Sequence, residues 1–156
     1  MGSTTGRAAA GWGTPRGSGS VCAVSPGSDS RRPPRGDRPG LTACSLCAGE
    51  TLGGRDPLEG GQLERLRRLQ TEGVAHLTLV ECLDECERGD VVVARPSREG
   101  RRTDAAPVWF EQVAGDVLTD ELGRWLASGG PGAAELPDAL RACMIARSGE
   151  DTPGAT

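Results

Sequence analysis

Two cysteine pairs constrain this chain more than any other feature. Cys44 and Cys47 are separated by two residues, and Cys82 and Cys86 by three. Each pair begins at the end of a short apolar run, "GLTAC" for the first and "VAHLTLVEC" for the second. Spacings this short let each pair grip a single metal ion. Together they supply a four-thiolate set, which suits one tetrahedral zinc or a [2Fe-2S] cluster with two thiolates per iron. A fold that uses all four must bring the ends of those two runs side by side.

The pattern around the pairs offers such a fold. "GLTAC" reads as a first strand, followed by a glycine-rich loop, "SLCAGETLGGRDPLEGG". "GQLERLRRLQTEG" places Leu63, Leu66 and Leu69 on one side of an amphipathic helix that stops at Gly73. In "VAHLTLVEC", Val74, His76, Thr78 and Val80 alternate with Ala75, Leu77 and Leu79, which suits a strand buried on both faces. "DVVVARP" and "APVWFEQV" are two more strands, joined by the polar loop "SREGRRTDA" as a hairpin. "DVLTDELGRWLASGG" closes the series as a helix with Leu118, Leu122, Trp125 and Leu126 on one face, capped by Asp116 and ended at Gly129. A strand, a crossover helix and a second strand most often form a right-handed parallel unit. With the hairpin and the last helix added, the expected architecture is α/β and thioredoxin-like, a mixed four-stranded sheet with packed helices. The carboxyl ends of the two parallel strands then lie together, and the cysteine loops meet at one edge.

The folded part is expected to span residues 41–147, behind a disordered tail, residues 1–40, and ahead of a disordered C-terminus, residues 148–156. The tail is dominated by Gly, Ser, Pro, Ala and Arg and has too little apolar surface to offset the entropy of ordering it. It carries a charge of +4 and the remainder −8, which gives the formal net charge of −4. A basic tail lacking regularly interleaved aromatic residues does not indicate a nucleic-acid site. No apolar run approaches the ~18 residues of a membrane span, and no apolar segment follows the first charges as in a secretory signal. The expected setting is cytoplasmic, where clustered cysteines lean toward metal or redox chemistry rather than structural disulfides.

Disulfide exchange fits less well. A redox Cys-x2-Cys works because its first thiol sits at a helix N-terminus, and here the next helix starts eleven or more residues beyond Cys47. Glu81, Asp84, Glu85, Glu87 and Asp90 surround the second pair against only Arg88, and such charges raise a thiol pKa.

"CLDECERGDVVVARP", "PVWFEQV" and "ELGRWLASGG" resemble the C-terminal two-thirds of the thioredoxin-like [2Fe-2S] ferredoxins, with their Cys-x3-Cys, valine run, aromatic strand and Gly-Gly-closed helix. "LTACSLC" and "PDALRACMIAR" are similar to uncharacterised bacterial metal-binding proteins of the same architecture. The resemblance spans roughly residues 41–147 and implies a [2Fe-2S] cluster held by Cys44, Cys47, Cys82 and Cys86. It implies an electron carrier rather than an enzyme, passing single electrons to a redox partner protein that docks near Asp84, Glu85 and Glu87, and it is compatible with a homodimer. The acidic loop favours a low-potential centre, and Gly49 and Gly89 are placed to let backbone amides approach the sulfurs. Ferredoxins of this family space their first two ligands by about ten residues or more, whereas here the spacing is two. That departure keeps a four-cysteine zinc site, in a small structural or metal-handling protein, as the alternative. A thioredoxin-fold interaction domain with a decayed site is the third reading.

Other candidates are weaker. Cys22 and Cys143 fall outside the constellation and read as incidental. His76, the only histidine, lies within a strand and reads as structural. Arg95, Arg98, Arg101 and Arg102 read as a solvated turn. Of the adjacent Trp109 and Phe110, one ring must point away from the core, because strand side chains alternate.

Overall fold

Leu41 and Ala43 alternate with Thr42 and Cys44 along the first strand, and that two-residue period divides the domain into a helix-covered face and an opposite face. The computed structural model describes residues 37–146; the expectations for Cys22, for most of the tail and for the C-terminus fall outside them. β1 (Gly40–Cys44) is followed by α1 (Gly61–Thr71) and β2 (His76–Val80), and β2 pairs parallel to β1 from Gly40↔His76 to Cys44↔Val80. β3 (Val92–Arg95) runs antiparallel on the other side of β1, and β4 (Val108–Phe110) antiparallel beside β3. α3 (Gly115–Ala127) and a short α4 (Asp138–Arg141) follow, and β5 (Met144–Ile145) pairs with β4. The sheet order is β2-β1-β3-β4-β5.

The mixed α/β architecture, the parallel first pair and the closing helix agree with the sequence pattern. Four details differ. The sheet has five strands rather than four, because two residues after α4 add to β4. β2 is an edge strand with His76, Thr78 and Leu79 exposed, not a strand buried on both faces. The link between β3 and β4 contains the helix α2 (Arg98–Arg102), started by the Ser97 hydroxyl accepting the Gly100 N–H. Asp116 lies inside the first turn of α3 rather than capping it, and its carboxylate accepts a hydrogen bond from Arg65.

Leu41, Ala43, Val92, Ala94 and Phe110 point from the sheet into a core completed by Leu66 and Leu69 of α1 and Leu122, Trp125 and Leu126 of α3. Phe110 meets Trp125 edge to face, with ring centroids 5.8 Å apart. Its neighbour Trp109 takes the opposite face in register with Val93, beside Thr42, Leu83, Arg95 and Pro107. α1 and α3 approach closely at Gly123, where a Cβ would come within 2.8 Å of a Leu69 methyl.

Two polar residues on the inward side of α1 join it to the start of α3. Gln62 donates to the Val113 carbonyl and the Thr119 hydroxyl and accepts the Gly115 N–H. Arg65, its side chain buried, binds Asp56 and, at 2.7 Å, Asp116. The hydrogen bond to Arg65 is the main cause that holds both carboxyls below their usual range. A group whose pKa is depressed on folding contributes stability that is complete above its unfolded value and is lost as pH falls through the folded value. Stability should therefore fall with acid below about pH 4, the unfolded carboxyl range. Asp56→Asn should flatten that fall, as measured by urea midpoints across pH 2 to 6 (roughly the window of carboxyl titration); an unchanged slope would contradict this account.

Candidate metal centre

The parallel pairing of β1 and β2 sets the geometry of the thiols. Cys44 is the last residue of β1, and Cys82 follows β2 by two positions. Immediately beyond Cys44, the N–H and hydroxyl of Ser45 both donate to the Val80 carbonyl, which fastens the first cysteine loop to the end of β2. Cys44, Cys47, Cys82 and Cys86 line one crevice together with Leu83, Glu85 and Val91. All four expected ligands thus come from two loops at one end of the sheet. Cys143 stands apart, with its thiol directed at the Ala139 carbonyl.

The two pairs differ in exposure. Cys44 and Cys47 are buried, while Cys82 is half-buried and Cys86 exposed. The Cys44 thiol donates to the Glu81 carbonyl at 3.0 Å, and Val91 and Leu83 wall the crevice beside the first pair. In the second pair, the Asp84 N–H reaches the Cys82 sulfur at 3.2 Å, and the Cys82 and Cys86 sulfurs are 3.0 Å apart. Backbone amides at sulfur stabilise a thiolate and tune whatever it ligates.

The protonation balance follows from these contacts. Burial pushes the Cys44 thiol up, but the hydrogen bonds from Cys47, Leu46 and Leu83 outweigh it and leave the group below its ordinary value. Burial raises Cys47, against the pull of the Val91 and Asp90 amides, and the neighbouring Cys44 raises it further. Cys86 is pushed up to about 11, first by its hydrogen bond to Cys82 and then by the charge of Cys82, with smaller contributions from burial, Cys44 and Cys47. At Cys86 the neighbouring thiol Cys82, rather than the acidic side chains expected to raise it, is the chief cause. The opposition of Cys82 to the ionisation of Cys86, and of Cys44 to that of Cys47, is one that a soft cation would relieve, since it binds thiolate and releases the protons.

Four cysteine thiols are the donor number and type that a thiophilic metal takes, one pair buried and the other more exposed. Among the described residues, no group of three or more Cys, His, Asp or Glu side chains is already spaced as a metal cage. The Cys82–Cys86 separation of 3.0 Å is shorter than the ~3.8 Å between two thiolates on one tetrahedral zinc with ~2.3 Å bonds. Ligation would therefore require that pair to open by somewhat under ~1 Å, and its exposed position leaves room for this.

Of the acids proposed to receive a partner, Asp84 and Glu87 are exposed, whereas Glu85 is half-buried and pairs with Arg88 at 2.9 Å. Arg88 also holds Glu111. Gly49 does not direct its N–H at a sulfur as expected; that N–H goes to the Asp90 carboxylate. Gly89, with φ of 64°, instead permits a close approach to Thr51. Asp90 is the residue whose place the sequence reading did not foresee: counted there among the acids around the second cysteine pair, it is buried here and turns to the first loop. Its position immediately before a valine run is the one sequence signal that could have marked it. No helix among the described residues is long and apolar enough to cross a membrane.

No family model, curated protein or solved structure matches this chain.

Proposed function

We propose that the chain is a thioredoxin-like [2Fe-2S] protein that carries single electrons, with Cys44, Cys47, Cys82 and Cys86 as the cluster ligands. The observation that carries this reading is the convergence of the four thiols, from loops at the carboxyl ends of two adjacent parallel strands, on one crevice. The strand order β2-β1-β3-β4, with its parallel first pair, antiparallel second pair and closing α3, supports the thioredoxin-like assignment. When bound, such a cluster supplies one-electron exchange. The protein's own part is to enclose Cys44 and Cys47 and to leave Cys86 at the surface as the nearest approach for a partner. The exposed Asp84 and Glu87 beside it suit a basic docking face, and the free thiols suit a reducing, cytoplasmic setting.

Zinc is the second reading. It is favoured by the two-residue spacing of Cys44 and Cys47, both buried, which is the usual half-site of a structural zinc. Anaerobic purification, a visible spectrum and a metal assay separate the two. Broad absorption near ~420 and ~460 nm with about two irons per chain, lost in Cys82→Ser with Cys86→Ser, is the expected result. A colourless protein with about one zinc overturns the electron-carrier reading.

A further inference from the structure

Asp90 lies between the second cysteine pair and β3. Its side chain is 3% exposed and its φ is 45°, in the left-handed region that non-glycine residues seldom adopt. The carboxylate accepts three hydrogen bonds, from the Gly49 N–H, the Thr51 N–H at 2.9 Å and the Thr51 hydroxyl. All three donors are uncharged, and all lie 39 to 41 residues away in sequence, in the turn that follows Cys47. An aspartate that merely shapes its own turn bonds to amides two or three residues on. This one reaches into the other cysteine loop.

We propose that Asp90 is the positioning residue of the thiol site, tying the loop that carries Cys44 and Cys47 to the loop that carries Cys82 and Cys86. One oxygen holds Gly49, two residues after Cys47, and the other holds Thr51 twice. The carboxylate therefore grips the first loop at two points just after Cys47, Gly49 and Thr51. The residue after Asp90, Val91, lines the thiol crevice together with Cys47. The loops meet closely enough that a Cβ on Gly89 would come within 2.9 Å of a Thr51 methyl. The Asp90 carbonyl accepts the Val113 N–H, which anchors the clamp to the segment before α3. Removing the carboxylate leaves three donors to find water and frees the turn, so Cys47 should lose its enclosure before the domain loses its fold.

The test uses the full chain carrying Asp90→Ala, Asp90→Asn or Thr51→Val, with two readouts. The first is the alkylation rate of each cysteine by iodoacetamide after chelator treatment, resolved by peptide mass. Asp90→Ala should raise the rate at Cys47 by about tenfold and leave Cys143 unchanged, as a local opening does. Thr51→Val, which removes one of the three donors, and Asp90→Asn, which keeps the shape but sets an NH2 against a donor, should move Cys47 in the same direction by less. The second readout is Co(II) affinity by charge-transfer absorption, expected to fall about 10- to 100-fold in Asp90→Ala. An unchanged Cys47 rate in all three variants overturns the proposal, and so does an equal rise at Cys143, which would report general loosening. If Asp90→Ala does not fold, the other two variants decide. The affinity readout rests on the four-thiolate reading above. Failure of the wild-type chain to bind Co(II) would sink that reading, while the alkylation rates would still decide the role of Asp90.

Discussion

Cys44→Ser in the full chain should weaken binding of a thiophilic dication, read by Co(II) absorption, by about 100-fold or more. The free energy of a structural four-ligand zinc site is roughly 10–16 kcal/mol, so an average ligand represents about 3 kcal/mol. Cys44 should cost at least that average, because its sulfur is the one that its surroundings hold below the ordinary thiol pKa. Cys143→Ser provides the control, since that thiol faces the Ala139 carbonyl away from the crevice. Equal losses in the two variants would mean that the binding has nothing to do with the crevice.

Phe110→Ala should lower the unfolding free energy by about 3–5 kcal/mol in urea titration. The ring is fully buried at the centre of the helix-covered face and stands edge to face against Trp125. A domain of this size has only about 5–15 kcal/mol in total, so the variant should be marginal at room temperature. Trp109→Ala, one residue earlier on the half-buried opposite face, should cost clearly less. A reversed order would mean that the two faces have been assigned the wrong way round.

The contrast between those neighbours shows what could be read from the sequence and what could not. Alternation required that one ring leave the core, but period alone does not say which of two aromatic residues it is. That choice depends on the register with β3, where Phe110 lies opposite Val92 and Trp109 opposite Val93. The helix over residues 61–71 was legible because Leu63, Leu66 and Leu69 recur at helical spacing. Its inward Gln62 and Arg65 were not, because their partners Val113, Thr119, Asp56 and Asp116 are brought up by other segments. The apolar look of β2 suggested a central strand, yet the strand lies at an edge, where composition and position part company.

At the site, the four cysteines were legible from spacing and from their places at strand ends. The clamp behind them was not. Asp90 sits in a run of acids beside the second cysteine pair, and only the fold shows that its carboxylate turns inward to the amides of another loop. The donors at the sulfurs were equally hidden, since they are backbone amides whose direction no side chain announces.

Among the described residues β2 pairs with no strand but β1, and the covalent path between the two strands runs out through α1 and back. Cys44 and Cys82 are 38 positions apart in the chain. A link between them would act as a cross-link in the unfolded ensemble, and chain-entropy reasoning assigns about 4 kcal/mol to closing a loop of that length. Whatever joins the two cysteine loops therefore also rivets an edge strand to its only neighbour. Resistance of residues 74–82 to proteolysis and amide exchange becomes a gauge of whether the thiols are joined.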